Sequence, residues 1–169
     1  MSENLNKLLN QKIEQYKSKT QQSHKLQTNA TKYMPGGSTR TTQWMEPYPF
    51  YAKNAKDQHI TDVDNNSYLD FMINATSLIH GHASSKIINA IKSQSDIGTA
   101  YSAPTDGQTK LAKLLTDRTP SMETLRFTNS GTEATMMAIM AARAYTNKQK
   151  IAKFEGGYHG THDHVSISV

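Results

Sequence analysis

The chain is 169 residues long, 36% hydrophobic and of mean hydropathy −0.69, which is low for a self-contained domain of this length. Its net charge of +5 resides mostly in the first 33 residues, where Lys7, Lys12, Lys17, Lys19, Lys25 and Lys32 stand against only Glu3 and Glu14; spaced along a polar helix-like segment, they read as a solvated face and not a nucleic-acid surface. The absence of cysteine excludes a disulfide framework and thiolate metal ligation, no apolar run approaches the roughly 20 residues of a membrane span, and the N-terminus lacks a signal-peptide core, so a cytoplasmic location is expected.

Leu5, Leu8, Leu9, Ile13 and Tyr16 recur at three- and four-residue spacing, which predicts a helix over 3–17 with one apolar stripe, an arm that packs on something. Residues 18–33 are rich in Gln, Lys, Thr and Ser, and Met34-Pro35-Gly36-Gly37 breaks any helix and opens a loop. From Phe50 the pattern changes to short β-like runs, Phe50–Ala52, His59–Thr61 and Tyr68–Phe71, with turns at Asp57-Gln58 and Asp64–Ser67, because Asn and Asp tolerate left-handed backbone. A small antiparallel meander is expected. His80-Gly81-His82 reads as a turn more readily than as a ligand pair. A helix starts at Ser84 or Ser85, runs through Ile87, Ile88, Ile91 and Ile97, and closes at Gly98. Another runs from Asp106 to Arg118, burying Leu111, Leu114 and Leu115, and Pro120 stops it.

The chain then alternates: strand 124–128, helix 132–146, strand 150–154 and a last β-like run, Val165–Val169. Such alternation marks an α/β domain. Helix 132–146 is apolar around most of its circumference, so it needs cover on both sides, and nothing else in this chain is long enough to supply it. The strands are too few for a usual sheet of about 5–6. The expectation is the N-terminal part of a longer protein.

Three places could carry chemistry. Asn129-Ser130-Gly131-Thr132 leads from a β-like run into the Ala/Met-rich helix. The first amides of a helix have no intrahelical partner and hold a phosphate well; Ser130 and Thr132 add hydroxyls, and Gly131 leaves room for close approach. The same residues also suit an ordinary N-cap with Glu133 in the first turn. Gly156-Gly157-Tyr158-His159-Gly160 follows the next strand, where α/β proteins place ligand loops, and a phosphorylated planar ring would satisfy both loops together; a glycine-framed surface turn is the plainer reading. His159-x-x-His162-Asp163-His164 invites a metal-hydrolase reading, but its spacing departs by one residue from the familiar His-x-His-x-Asp-His run, so no metal ligand is assigned. Arg40, after Pro35-Gly36-Gly37-Ser38-Thr39, suits bidentate binding of a substrate carboxylate, and equally an exposed arginine that pairs with nothing.

Six blocks in order are recognisable: Pro35–Arg40; Asp62-Val63-Asp64-Asn65-Asn66-x-Tyr68-Leu69-Asp70; Gly81-His82-Ala83; Arg126–Ala134; Ala141–Thr146; and Lys150–Gly160. Together they resemble class III pyridoxal-phosphate aminotransferases, closest to the glutamate-1-semialdehyde aminomutase branch. The resemblance implies a fold-type-I α/β transferase, truncated, with a helical arm over 1–34, the N-terminal part of a small domain over 35–98 and the beginning of the large cofactor-binding domain over 99–169. It implies pyridoxal 5'-phosphate as cofactor, with Ser130, Gly131 and Thr132 as the phosphate cup, Tyr158 stacked on the ring with His159 beside it, and Arg40 near the arginine that some members use for the substrate carboxylate. Asn65 stands where the family usually has glycine, and Ser85 where it usually has proline. An amino acid or amino aldehyde substrate and a homodimer follow by resemblance.

The family's Schiff-base lysine, and the aspartate that pairs with the pyridine nitrogen, fall beyond the position of Val169. No catalytic residue is therefore assigned in this chain, and the 169 residues alone are expected not to catalyse transamination. Amino transfer between molecules and the intramolecular mutase reaction both remain open, as does a non-catalytic binding remnant.

Overall fold

The apolar stripe at the front of the chain winds into helix α1 (Glu3–Lys19), and a second helix, α2 (Gln21–Ala30), follows after a one-residue break. Thr20 makes the break with φ −129° and ψ 40°. Its hydroxyl donates to the Tyr16 carbonyl (2.7 Å) and lies 3.2 Å from the Tyr48 hydroxyl, so a β-branched residue competes with the helix by bonding its own backbone. In this computed structural model, which describes residues 3–168, the chain divides into two units, one ending at Ala100 and the other beginning at Tyr101.

In the first unit the meander is present, shifted by a few residues. Strands β1 (Ala52–Lys56), β2 (His59–Asp62) and β3 (Ser67–Leu69) pair antiparallel in the order β1-β2-β3, with Lys56 opposite His59 and Ile60 opposite Tyr68. Asp57 and Asn65 turn the two corners at φ +52° and +66°, the left-handed backbone expected of Asp and Asn there. What holds the helices to the sheet is polar. Asp62, fully buried, accepts from the amides of Asp64 and Asn66, from the Asn66 side chain and from the Tyr68 hydroxyl, all between 2.8 and 2.9 Å. Asp64 reaches across to α2 and accepts from Gln22 N (2.7 Å), Ser23 N (3.0 Å) and the Ser23 hydroxyl (2.8 Å), capping a helix start that has no cap of its own.

Desolvation pushes the Asp64 carboxyl up, but the Gln22 and Ser23 amides, the Ser23 hydroxyl and Lys25 together hold it below the ordinary carboxylate value. The folded state thus binds this proton less readily than the unfolded chain. Its stabilising contribution is present at neutral pH and disappears as the pH falls below about 4. Asp64→Ala is expected to cost about 1–3 kcal/mol and to remove part of the acid sensitivity of α2. Hydrogen exchange at Gln22 and Ser23, followed from pH 7 to pH 3, checks both.

The buried Gln27 side chain extends this framework to the loop that carries Arg40. Its amide donates to the Gly36 carbonyl (2.9 Å) and accepts from the Tyr51 hydroxyl (2.9 Å). Gly37 has φ +73°, a conformation L-residues rarely adopt, and a Cβ there would meet Gln27 Nε2 at 2.5 Å, so another residue would strain the backbone and displace the Gln27 side chain. Beyond β3 the chain makes α3 (Ile73–Thr76), a single turn whose four residues all have positive φ, and then α4 (Ser85–Ser95). α4 stops two residues before Ile97, short of the helix expected from the isoleucine spacing.

The second unit holds α5 (Asp106–Arg118), capped by the Thr105 side chain, and α6 (Gly131–Thr146). The runs 124–128, 150–154 and 165–168, read from the sequence as strands, form no ladder among the described residues. A strand exists only through hydrogen bonds to a neighbour about 4.8 Å away, and these runs do not neighbour one another in that way. Lys153 instead gathers the carbonyls of Val165 (3.2 Å), Ile167 and Ser168 (3.3 Å) around its ammonium group. Leu111, Leu114 and Leu115, expected to be buried, are 47, 46 and 38% exposed.

Candidate cofactor-binding site

The Asn129–Thr132 segment opens α6 with a defined cap. Ser130 is the N-cap, in extended backbone, and its hydroxyl accepts from Glu133 N (3.1 Å), while Glu133 Oε2 accepts from Asn129 N (2.7 Å). That arrangement uses the Glu133 amide and leaves those of Gly131 and Thr132 without an acceptor among the described residues. An ideal Cβ on Gly131 would have nothing within 4 Å. The helix start therefore presents two unpaired amides, the positive end of a 16-residue macrodipole and an open cradle, and the Ser130 hydroxyl can still donate its hydrogen outward while accepting from Glu133. Helix capping and phosphate binding are compatible here, and the residues present fit a phosphate group.

The glycine-framed loop packs directly on this cup. A Cβ on Gly160 would lie 2.8 Å from Thr132 Oγ1 and 2.9 Å from Thr132 Cα, and Gly160 has φ +107°. Thr161 N donates to Thr132 Oγ1 (3.4 Å), and the Thr135 hydroxyl donates to the His159 carbonyl (2.7 Å). Ser130, Gly131 and Thr132 are thereby brought together with the backbone that carries Tyr158 and His159. Tyr158, two residues before Gly160, is 67% exposed, so its aromatic face is uncovered. Thr135 was not singled out in the sequence; its place one helical turn beyond Gly131 was the available signal.

The histidine cluster is not assembled around a shared point. His162 Nε2 lies 3.3 Å from the Thr135 hydroxyl and its Nδ1 is shut off from solvent, while His164 turns toward Arg143, whose Nη1 is 3.2 Å from His164 Nε2. A fixed guanidinium at that distance opposes a cation. Among the described residues no three His, Cys, Asp or Glu side chains could hold a metal ion.

Arg40 belongs to the first unit. Its amide donates to Ser38 Oγ (3.2 Å), and its guanidinium donates to Asn74 Oδ1 (3.3 Å). Among the described residues no carboxylate pairs with it. Asn74 lies on α3, which is tied down by Asp70: one carboxylate oxygen accepts from Met72 N (2.9 Å) and Ile73 N (3.0 Å), the other meets His82 Nε2 at 2.7 Å. The bond to His82, with the two amides, outweighs burial and holds the Asp70 carboxyl below the usual range.

The helical arm, the antiparallel meander and a helix start suited to phosphate with a glycine loop packed on it fit the fold-type-I α/β transferase that the sequence resembles, and solved transaminases share this fold. The chain belongs to one family of these, the class-III aminotransferases, whose profile matches residues 41–169. It is 44% identical over 149 residues to the glutamate-1-semialdehyde 2,1-aminomutase of Methanocaldococcus jannaschii, an alignment that covers 88% of this chain and 35% of that protein. Among solved structures it resembles an omega-transaminase from Sphaerobacter thermophilus (49% identity, TM-score 0.84, covering 86% of this chain and 33% of that one). It also resembles a beta-phenylalanine aminotransferase from Variovorax paradoxus (31% identity, TM-score 0.90, covering 92% and 36%). The chain thus spans about a third of the length of the relatives it matches.

Proposed function

We propose that this chain is the cofactor-phosphate and substrate-carboxylate portion of a pyridoxal-5'-phosphate-dependent aminotransferase that passes an amino group between an amino acid and a carbonyl compound. The observation that carries the reading is the open cradle at Gly131, floored by two unpaired amides and packed under the Gly160 loop. When bound, the cofactor supplies an electron sink that stabilises negative charge at the carbon bearing the amino group. The residues of this chain hold and orient. The amides of Gly131 and Thr132 and the hydroxyls of Ser130 and Thr132 take the phosphate, Tyr158 lies against the ring with His159 beside it, and the Arg40 guanidinium takes a substrate carboxylate.

The family's covalently bonding lysine has no counterpart in these 169 residues, so they are inactive alone in this reading, and the working enzyme is a soluble, cytoplasmic homodimer. Family membership together with relatives named both omega-transaminase and aminomutase supports amino transfer as the common chemistry. Intermolecular transfer is the first reading because the most identical of the structures described is an omega-transaminase, with the intramolecular mutase reaction second.

The full-length protein, purified with added pyridoxal 5'-phosphate, is expected to retain a visible absorption band through gel filtration. Borohydride is then expected to fix the cofactor on one lysine outside this chain, located by peptide mass. A colourless protein that releases the cofactor on the column defeats the reading.

A further inference from the structure

The turn that presents Asn74 is the most strained backbone described. Ile73, Asn74, Ala75 and Thr76 have φ of +41°, +49°, +53° and +70°. Left-handed backbone is unfavourable for L-residues and more so for β-branched ones, and Asn alone among these four is suited to it. Such a run persists only where its surroundings over-determine it, and here they do. Asp70 takes the amides of Met72 and Ile73 while Asp70 itself is clamped by His82 (2.7 Å), and His82 is paired through both backbone groups to Asp57 (2.9 and 2.7 Å) at the β1–β2 corner. Leu78 N closes back on the Ile73 carbonyl (3.1 Å).

The product of this clamping is the orientation of one amide. Asn74 Nδ2 donates to Ser77 Oγ (3.1 Å), and Ser77 Oγ donates to the Asn74 carbonyl (2.9 Å). Asn74 Oδ1 is then the atom facing Arg40, the only choice for a guanidinium, which has donors alone. From the other side, Ser38 Oγ fixes the Arg40 backbone amide and meets Gln43 Oε1 at 2.9 Å. Arg40 is thus steered by a neutral acceptor, which constrains the guanidinium without cancelling its charge.

We propose that Asn74 is a positioning residue: mounted on the left-handed turn, it aims Arg40 at the carboxylate of the substrate. This rests on the assignment of Arg40 to that carboxylate. An aspartate in the same place would occupy the guanidinium with a permanent ion pair, and a residue without an acceptor would leave it free to swing.

The test uses the full-length holoenzyme and two amino donors that differ by a carboxylate, beta-phenylalanine and 1-phenylethylamine. Asn74→Gly is the first variant, because glycine keeps the left-handed backbone without strain and so removes the side chain alone. It is expected to raise KM for beta-phenylalanine about tenfold, the size of one hydrogen bond to a charged group, with kcat within about twofold of wild type, and to leave KM for 1-phenylethylamine unchanged. Asn74→Asp, which keeps size and turn preference, is expected to raise KM for beta-phenylalanine further, again without effect on the amine. Equal changes for both donors, or no change for beta-phenylalanine in either variant, overturn the proposal. Failure of the functional reading is separately visible, since wild-type protein would then carry no cofactor absorption before any variant is assayed.

Discussion

Replacing Gly160 with alanine is expected to collapse cofactor retention and to lower the stability of the second unit. Gly160 sits at φ +107°, where an L-residue is strained, and its new Cβ would lie 2.8 Å from Thr132 Oγ1, 2.9 Å from Thr132 Cα and 3.1 Å from Thr132 Cβ. Two of these three atoms are anchored to α6 and cannot rotate away. The backbone cost of about 1–2 kcal/mol and an overpacking cost of about 1–3 kcal/mol therefore act together, and the loop lifts off the helix start. Thermal unfolding of the full-length protein and titration with pyridoxal 5'-phosphate check this, with an affinity loss of at least about tenfold expected. Gly156→Ala is the control: φ there is +72°, so the backbone is strained, but nothing lies within 4 Å of the added Cβ. It should cost roughly 1 kcal/mol of stability and leave cofactor affinity near wild type. Equal retention by G160A and wild type would show that the loop does not need to seat on Thr132.

Much of this arrangement is legible in the sequence because it depends on local signals. The stripe from Leu5 to Tyr16 gives α1, Asp106 and Pro120 bracket α5, and Ser130 with Glu133 opens α6, each a short-range pattern that tertiary context had no reason to override. The meander is legible for the same reason, since Asp57 and Asn65 turn corners that only a few residue types turn well. What escaped was nonlocal. Val165 and Tyr48 are the buried hydrophobic residues among those described, while the apolar faces that spacing marks as core, Leu111 and Leu114 on α5 and Met140 on α6, stay exposed. Periodicity says that a face wants cover but not which segment provides it. The runs 124–128, 150–154 and 165–168 have β-like composition, yet a ladder needs a neighbour, which composition cannot supply.

The site divides in the same way. Ser130, Gly131, Thr132, Tyr158 and His159 fall on two short glycine-marked segments, and the residue types themselves announce an anion and an aromatic face. The buried partners do not announce themselves. Asp64 reads as a turn former, whereas it caps a helix more than forty residues away in sequence, and Asp62, which no turn signal marks, organises the β2–β3 corner. Asn74 sits in a run whose left-handed backbone no propensity would suggest, with Ile and Thr at its ends. Polar groups that act through tertiary contact leave only residue identity in the sequence, and Asp, Asn and His at loops are common for many other reasons.

The second large effect concerns the cup itself, where helix capping and ligand binding must be separated. Ser130→Ala combined with Thr132→Ala is expected to weaken cofactor retention by about a hundredfold or more, since each hydroxyl to a charged phosphate contributes roughly 1.5–3 kcal/mol. Ser130 also accepts from Glu133 N (3.1 Å), so part of that loss could come from a frayed α6, a cap being worth about 1 kcal/mol. S130D resolves the two roles. Aspartate caps a helix as well as serine does and its charge suits the positive end of the macrodipole, so thermal stability without cofactor should hold or rise. The same charge faces the phosphate, so affinity should fall below that of S130A. T132V supplies the complement: it keeps the shape packed beneath Gly160 and deletes only the hydroxyl, for an expected loss of about tenfold or more. A variant S130D that binds pyridoxal 5'-phosphate as tightly as wild type would show that Ser130 only ends a helix, and the phosphate would then have to lie elsewhere.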